Sequence, residues 1–209
     1  MLEGPPGTGK TTIIETLARQ MGVPLYKMDY SKQRNSEYIH AISRNVTDIF
    51  EKLKLQSKII KKPVMLFFDE AEKFFPRMAA GHQVEEVNTY KELMNTASEN
   101  CIILTGATNH IDMVNQEIVG NPRRMGTVIH VDNPDDEGRK GLFEKIRDNK
   151  PILAAVLTAT VITELVALSR GLSIGKITDT LNKLISQSIR HKQKVNEEMV
   201  IDAFKKVME

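Results

Sequence analysis

The residues that decide the fold of this chain stand near its start: Gly4-Pro5-Pro6-Gly7-Thr8-Gly9-Lys10-Thr11. They match the pattern GxxxxGK[ST], in which a glycine-rich turn joins the end of a β-strand to the start of a helix. Glycines let backbone N–H groups curl around phosphate oxygens, and the helix N-terminus adds a favourable dipole. The pattern predicts a phosphate-binding loop, which we extend to Thr12; an accidental Gly/Pro turn is the weaker alternative.

Two side chains of this loop have predicted roles. We expect the Lys10 ammonium to reach the β- and γ-phosphates of a nucleotide and the Thr11 hydroxyl to coordinate Mg²⁺. Almost no strand precedes the loop, because only Leu2 suits a buried strand, so we expect residues to be missing before Met1. After the loop, apolar residues recur at helical spacing: Ile13, Ile14, Leu17, Ala18 and Met21.

A second segment, residues 63–70, reads PVMLFFDE and is a short apolar run that ends in two carboxylates. A wholly apolar strand is typical of a parallel sheet covered on both faces. At the strand's carboxyl end, we expect Asp69 to hold Mg²⁺ through a water and Glu70 to polarise the attacking water as the general base. An acidic helix N-terminus is the alternative, which the phosphate loop upstream makes less favoured.

A third strand is predicted over residues 101–109, reading CIILTGATN. If the strands are neighbours in the sheet, its polar end places Asn109 between the first two motifs. Asn109 could then hydrogen-bond the γ-phosphate or orient the water. Taken alone, the Thr-Asn pair is only a turn signal.

The segments GPPGTGKT, FFDEAE and ILTGATNHID together resemble the AAA family within the AAA+ ATPases. The resemblance extends from Gly4 to about Lys206. It implies an α/β fold, with a phosphate-loop NTPase parallel sheet sandwiched by helices and followed by a small all-α lid domain. It also implies domain bounds of 1–133 for the nucleotide-binding domain and 134–209 for the lid. ATP and Mg²⁺ are the implied cofactors.

In that family an arginine from each subunit completes the active site of its neighbour. Residues 121–131, reading NPRRMGTVIHV, resemble the segment that ends in GRFDR. Arg124 matches the first arginine position, whereas Thr127 departs from the second, for which Arg123 is the nearest substitute. The resemblance therefore implies a homo-oligomeric ring, expected to be a hexamer, in which Arg124 acts on a neighbour's nucleotide.

Residues 36–50, reading SEYIHAISRNVTDIF, resemble the family's SKYVGESEKNVRDIF without a gap. In that pattern an aromatic-aliphatic pair faces the central pore and grips an extended polypeptide. Tyr38 and Ile39 take these positions here. His40 and Ala41 replace the usual Gly and Glu. The alternative is that Tyr38 and Ile39 begin the core face of the following helix.

Beyond residue 133 the sequence reads as helices. The segment GLSIGKI, residues 171–177, resembles the family's GYSGADI, whose backbone lies against the ribose and base of the nucleotide. Gly175 and Lys176 are therefore expected at the ATP site. Lys176 replaces an acidic residue and could touch phosphate; a solvated lysine at the start of a helix is the alternative.

Composition excludes several classes of protein. The chain has 209 residues and a formal net charge of +2, with 41% hydrophobic and 27% charged residues. This balance excludes wholesale disorder and argues against a chain whose main task is coating nucleic acid. Cys101 is the single cysteine, which excludes an internal disulfide and a Cys-rich zinc site and suits a reducing compartment.

We therefore expect an ATPase that threads, unfolds or disassembles a protein substrate. A nucleic-acid motor or loader and an ATP-gated scaffold are the alternatives. The apolar run at residues 152–168 contains three Thr and a Glu, so it predicts buried helices and no membrane span. The expected location is the cytoplasm or another reducing compartment inside the cell, with an upstream membrane anchor left open. The sequence contains no HExxH protease motif.

Overall fold

The chain forms two compact units. A computed structural model describes residues 1–28, 30 and 41–208, and for 41–45 it describes the backbone alone. One unit comprises Met1–Gly4 and Lys10–Val131, and the other comprises Pro5–Gly9 and Asp132–Glu209. We call them the sheet unit and the helical unit.

The described part of the sheet unit holds a five-stranded sheet whose paired strands all run parallel. Its order is β2-β3-β4-β1-β5, so β4 lies between β3 and β1. Because the strands are parallel, their carboxyl ends meet at one edge of the sheet. The strands are β1 Leu2–Glu3, β2 Leu25–Met28, β3 Val64–Asp69, β4 Ile102–Thr108 and β5 Ile129–His130.

Helices connect these strands, as parallel pairing requires. Short 3₁₀ turns at Ser98–Asn100 and Ile111–Met113 flank β4. The helices are α1 Lys10–Met21, α2 Ala41–Ile60, α3 Ala71–Phe74, α4 His82–Asn95 and α5 Gln116–Val119.

Alternate residues of β3 enter separate cores on the two faces of the sheet. Leu66 and Phe68 pack in a cluster that includes Phe50 of α2 and Tyr90 of α4. Phe67 packs in a second cluster with residues of α1. Side chains of a strand alternate between the two faces of its sheet, so both faces are covered. This confirms the predicted parallel sheet sandwiched by helices.

The first helix buries a narrower stripe than its sequence predicts. Ile14 and Ala18 are buried, whereas Ile13, Leu17 and Met21 are 41–47% exposed. Residues four apart lie on one strip of a helix, and the next residue along is rotated by about 100°. The strip with Ile14 faces the sheet, and the adjacent strip with Ile13 does not.

The helical unit is built around one apolar core, in which the rings of Phe143 and Phe204 pack edge to face. Its helices α6, α8 and α9 begin after Asp135, Thr158 and Ser173, whose side chains accept a backbone N–H and cap each helix. The all-α prediction for this part of the chain is confirmed. The helices are α6 Asp136–Asn149, α7 Pro151–Ala154, α8 Ala159–Leu168, α9 Ile174–His191 and α10 Glu197–Met208.

The long apolar run predicted as buried helices forms α7 and α8. Within the described residues, no helix combines the length and the apolar character that crossing a membrane would need.

Candidate active site

Two glycines of the loop have φ angles that residues with a Cβ atom rarely adopt. Gly4 has a φ of +144°, and a Cβ built on it would lie 2.2 Å from the carbonyl oxygen of Val131. Gly7 has a φ of +79°, and its Cβ would lie 2.8 Å from Oγ of Ser173. Glycine at these two positions permits both the dihedral angles and the close approach. Within the loop, the buried Thr8 hydroxyl donates to the carbonyl of Pro5 at 3.0 Å.

Lys10 is the first residue of α1 and its side chain turns back to the strand ends. Its Nζ donates to the carbonyl oxygen of Gly4 at 2.7 Å and to Oδ1 of Asn109 at 2.8 Å. The sheet register explains this meeting, because Glu3 of β1 is opposite Thr108 of β4 and the next residue of each strand follows at the same edge. The structure therefore brings Lys10 and Asn109 together, with β4 beside β1.

The electrostatic setting of Lys10 is unusual for a lysine. Only 7% of the residue is exposed. Burial lowers the pKa of Lys10, while the negative charges of Asp69, Glu3 and Glu72 act in the opposite direction. The positive charge and N–H donors of this ammonium can form charge-assisted hydrogen bonds with an anion such as phosphate.

Thr11 and Asp69 also meet. Oγ1 of Thr11 donates to Oδ2 of Asp69 at 3.2 Å, and Nζ of Lys27 lies 2.6 Å from the same oxygen. Hydroxyl and carboxylate oxygens are the hard donors that Mg²⁺ prefers, and Mg²⁺ is usually held by one or two protein groups with phosphates and waters completing its shell. The donor set therefore fits the predicted ion. Among the described residues, this site included, no group of three or more His, Cys, Asp or Glu could hold a metal ion by itself.

Glu70 follows β3 in a left-handed conformation, with φ and ψ both 56°. This conformation costs an L residue about 1–2 kcal/mol and is uncommon outside glycine. Its carboxylate forms an ion pair with Lys73 at 2.6 Å, and this hydrogen bond raises the pKa of Lys73. The Glu70 side chain remains 54% exposed. The carboxylate is thus accessible to a water molecule.

A partly buried hydrogen bond that the sequence did not predict joins α3 to the end of β4. Oγ1 of Thr108 donates to a carboxylate oxygen of Glu72 at 2.5 Å and accepts the backbone N–H of His110 at 3.0 Å. These bonds fix the backbone on either side of Asn109. The one sequence signal for this link is the third carboxylate of FFDEAE, at Glu72.

Arg124 lies in the turn that follows α5. Its guanidinium donates to Oδ1 of Asn95 at 3.0 Å and to the carbonyl oxygen of Glu117 at 2.9 Å. The hydrogen bond from Lys91 lowers the pKa of the Glu117 carboxyl, and the charge of Arg124 adds to this effect. Arg124 is therefore half-buried and held by its own chain, whereas Arg123 is exposed.

Within the helical unit, Gly175 forms a backbone hydrogen bond with Gly7 of the glycine loop. The N–H of Gly175 donates to the carbonyl oxygen of Gly7 at 2.8 Å. Ser173 caps α9 by accepting the N–H of Lys176 at 3.3 Å, and Lys176 itself is exposed. The remaining predicted residues Pro5, Pro6 and Thr12 are exposed, and Gly9 is half-buried. Tyr38, Ile39 and His40 lie outside the described residues.

Comparison with known proteins gives a family match over much of the chain. The family is AAA, the ATPase family associated with various cellular activities, and it matches residues 1–133. The ATP-dependent zinc metalloprotease FtsH of Lachnoclostridium phytofermentans is 32% identical over 159 residues, covering 73% of this chain and 26% of that protein. FtsH 3 of Symbiobacterium thermophilum is 28% identical over 217 residues, covering 100% of this chain and 33% of that protein.

A relative that is named for a different role matches as well. The vesicular-fusion protein SEC18 of Candida albicans is 27% identical over 206 residues, covering 93% of this chain and 26% of that protein. The chain thus spans about a quarter to a third of the length of these three relatives.

Proposed function

This chain belongs to the AAA family, the ATPase family associated with various cellular activities, and from that premise we propose that it hydrolyses ATP with Mg²⁺ to remodel protein substrates. The observation that carries the proposal is the buried ammonium of Lys10, which joins Gly4 at the end of β1 to Asn109 at the end of β4. Beside it, Thr11 and Asp69 share a hydrogen bond between oxygen donors that suit Mg²⁺.

In this proposal the loop residues 4–9 and the start of α1 bind the phosphates of ATP. The Lys10 ammonium exchanges its contacts with Gly4 and Asn109 for oxygens of the β- and γ-phosphates, which the low-dielectric surroundings favour. Thr12 adjoins the same helix N-terminus, and Gly175 and Lys176 contribute from the lid. The nucleotide-binding domain spans 1–133 and the lid 134–209.

Thr11 and Asp69 would hold Mg²⁺, which neutralises negative charge on the phosphates when it is bound. Glu70 accepts a proton from the water that attacks the γ-phosphate, and its exposed carboxylate leaves room for that water. Asn109 orients the water or the γ-phosphate. Each of these four side chains lies at or near the carboxyl end of a strand, where ligands bind in open parallel sheets.

The oligomer and its substrate complete the proposal. Arg124 of one subunit acts on the nucleotide of its neighbour in a homo-oligomeric ring, expected to be a hexamer. Tyr38, Ile39 and His40 contact an extended polypeptide in the pore. Two of the relatives reported above are named as ATP-dependent proteases, enzymes whose substrates are polypeptides, and this supports a protein substrate over nucleic acid.

Replacement of Glu70 by glutamine tests the hydrolysis step. We expect Glu70→Gln to lower ATP turnover about 10²–10⁴-fold, because glutamine cannot accept the proton, while fluorescent ATP analogues still bind. Glu51→Gln is a matched control, since Glu51 is similarly exposed and forms the same i,i+3 ion pair, with Lys54 at 3.3 Å. Wild-type turnover by Glu70→Gln would overturn the assignment, and the absence of ATP turnover by the wild-type chain would favour an ATP-gated scaffold.

A further inference from the structure

Lys27 contacts the carboxylate that the proposed function assigns to Mg²⁺. Its Nζ lies 2.6 Å from Oδ2 of Asp69, closer than the Thr11 hydroxyl at 3.2 Å from the same oxygen. A lysine ammonium and a divalent cation carry charge of the same sign. Both are attracted to the negative charge of the Asp69 carboxylate.

The sheet places Lys27 at this point. In the parallel register, Lys27 of β2 is opposite Phe67 of β3. Side chains two apart on a strand share a face, so Phe67 and Asp69 point to the same side of the sheet as Lys27. Nζ of Lys27 lies 5.7 Å from the centroid of the Phe67 ring, a distance at which the ring face attracts a cation. The position of the ammonium thus follows from the strand pairing and from an aromatic contact beside it.

The ion pair between Lys27 and Asp69 contributes little to the free energy of unfolding. The side chain of Lys27 is 47% exposed and that of Asp69 is 25% exposed. Solvent screening makes pairs of this exposure weak contributors to stability. A contact of this kind can be given up at low cost when another cation arrives.

We propose that Lys27 is an internal counter-ion of Asp69 that competes with the divalent cation and so sets the Mg²⁺ concentration at which the site fills. Lys27 is in this sense a positioning residue, because it acts through Asp69. The inference rests on the proposed function, in which Asp69 serves Mg²⁺. If Lys27 competes in this way, the Mg²⁺ concentration that half-saturates the site is higher than it would be without a lysine at this position.

The test compares three variants of the 209-residue chain. Lys27→Met keeps an unbranched apolar stem over the Phe67 ring and removes the charge, whereas Lys27→Arg keeps the charge. Lys54→Met removes a different lysine of the sheet unit that pairs with a carboxylate, Glu51. Thermal unfolding of each variant shows whether it remains folded.

Two binding measurements give readouts other than ATP turnover. Mn²⁺ binding to the nucleotide-free protein is followed by electron paramagnetic resonance, and binding of fluorescent ADP is titrated against Mg²⁺. We expect Lys27→Met to lower the half-saturating concentration of both ions by about threefold to tenfold, which is the worth of one exposed ion pair plus the removed repulsion. Lys27→Arg and Lys54→Met are expected to match the wild type.

The outcomes separate this inference from the proposed function. Nucleotide binding that depends on Mg²⁺ equally in the wild type and in Lys27→Met overturns the inference and leaves the proposed function in place. A shift of the same size in Lys27→Arg also overturns it, because the charge would then not be the cause. A wild-type chain that binds no nucleotide at any Mg²⁺ concentration refutes the proposed function and this inference with it.

Discussion

Replacement of Gly4 by alanine perturbs the site through its backbone alone. A Cβ on Gly4 would lie 2.2 Å from the carbonyl oxygen of Val131 and 3.0 Å from its carbonyl carbon. Both are backbone atoms, so no change of side-chain rotamer relieves the overlap. The N–H of Val131 donates to the carbonyl of Glu3 at 2.8 Å, which holds the two segments together. In Gly4→Ala, the backbone at position 4 or the backbone at Val131 must therefore move.

The expected cost has two parts. A φ of +144° is nearly restricted to glycine, and an L residue there costs about 1–3 kcal/mol. Relief of an overlap by backbone movement costs about 1–3 kcal/mol more, as in other overpacked sites. The sum, about 2–6 kcal/mol, is a large fraction of the roughly 5–15 kcal/mol that stabilises a typical domain. The Gly4 carbonyl also accepts a hydrogen bond from the Lys10 ammonium at 2.7 Å. Movement of Gly4 would displace Lys10, so the affinity for nucleotide is expected to fall as well.

Urea unfolding followed by circular dichroism measures the first effect, and binding of a fluorescent ATP analogue measures the second. Gly22→Ala is the matched control, because Gly22 has a φ of +63° but open space around its Cβ position. It should cost only about 1–2 kcal/mol, from the left-handed backbone alone. If Gly4→Ala unfolds at the same urea concentration as Gly22→Ala and binds the nucleotide like the wild type, the close approach of Gly4 to Val131 is not required for stability or binding.

Two further predictions concern the assembly. Tyr38→Ala is expected to abolish unfolding of a protein substrate and to spare most basal ATP turnover, because an aromatic ring can pack against side chains of any sequence; equal unfolding by the variant contradicts the pore role. Arg124→Ala is expected to lower ATP turnover by roughly 10³-fold or more, and Arg123→Ala by less. Mixing the Arg124→Ala and Glu70→Gln variants should restore part of the turnover, because an Arg124→Ala subunit retains Glu70 and a Glu70→Gln neighbour supplies the arginine. Mixtures that stay inactive rule out action between subunits.

Strong local patterns made most of the fold predictable. The glycine loop fixed the start of α1, and the unbroken apolar run at residues 64–68 identified a strand buried on both faces. These two predictions rest on residues close together in the sequence, where propensity and periodicity operate. The prediction for Asn109 depended on the condition that the strands are neighbours, and the structure meets it, because β4 pairs with both β1 and β3.

The parts that could not be predicted depend on register between distant strands. The sequence does not indicate that Lys27 pairs with Asp69, because that contact follows from β2 lying opposite β3 in one alignment. A shift by one residue would turn Lys27 to the other face of the sheet. The contact of Thr108 with Glu72 has the same origin, since it joins the end of β4 to the helix α3 that follows β3. Interactions of this kind arise from the tertiary structure and leave no local pattern.

Backbone with positive φ lies at two of the strand ends that carry the proposed chemistry. Gly4 follows β1 and Glu70 follows β3, and both have positive φ. A glycine at position 70 would adopt the left-handed conformation without steric cost, yet the residue is a glutamate that costs about 1–2 kcal/mol there. Its ion pair with Lys73 is half exposed to solvent and offsets little of this cost. Lys61, Cys101 and Lys192 have positive φ as well, so the backbone alone does not assign a role to Glu70. The proposed role as general base would account for a carboxylate at this position, and the turnover of Glu70→Gln tests it.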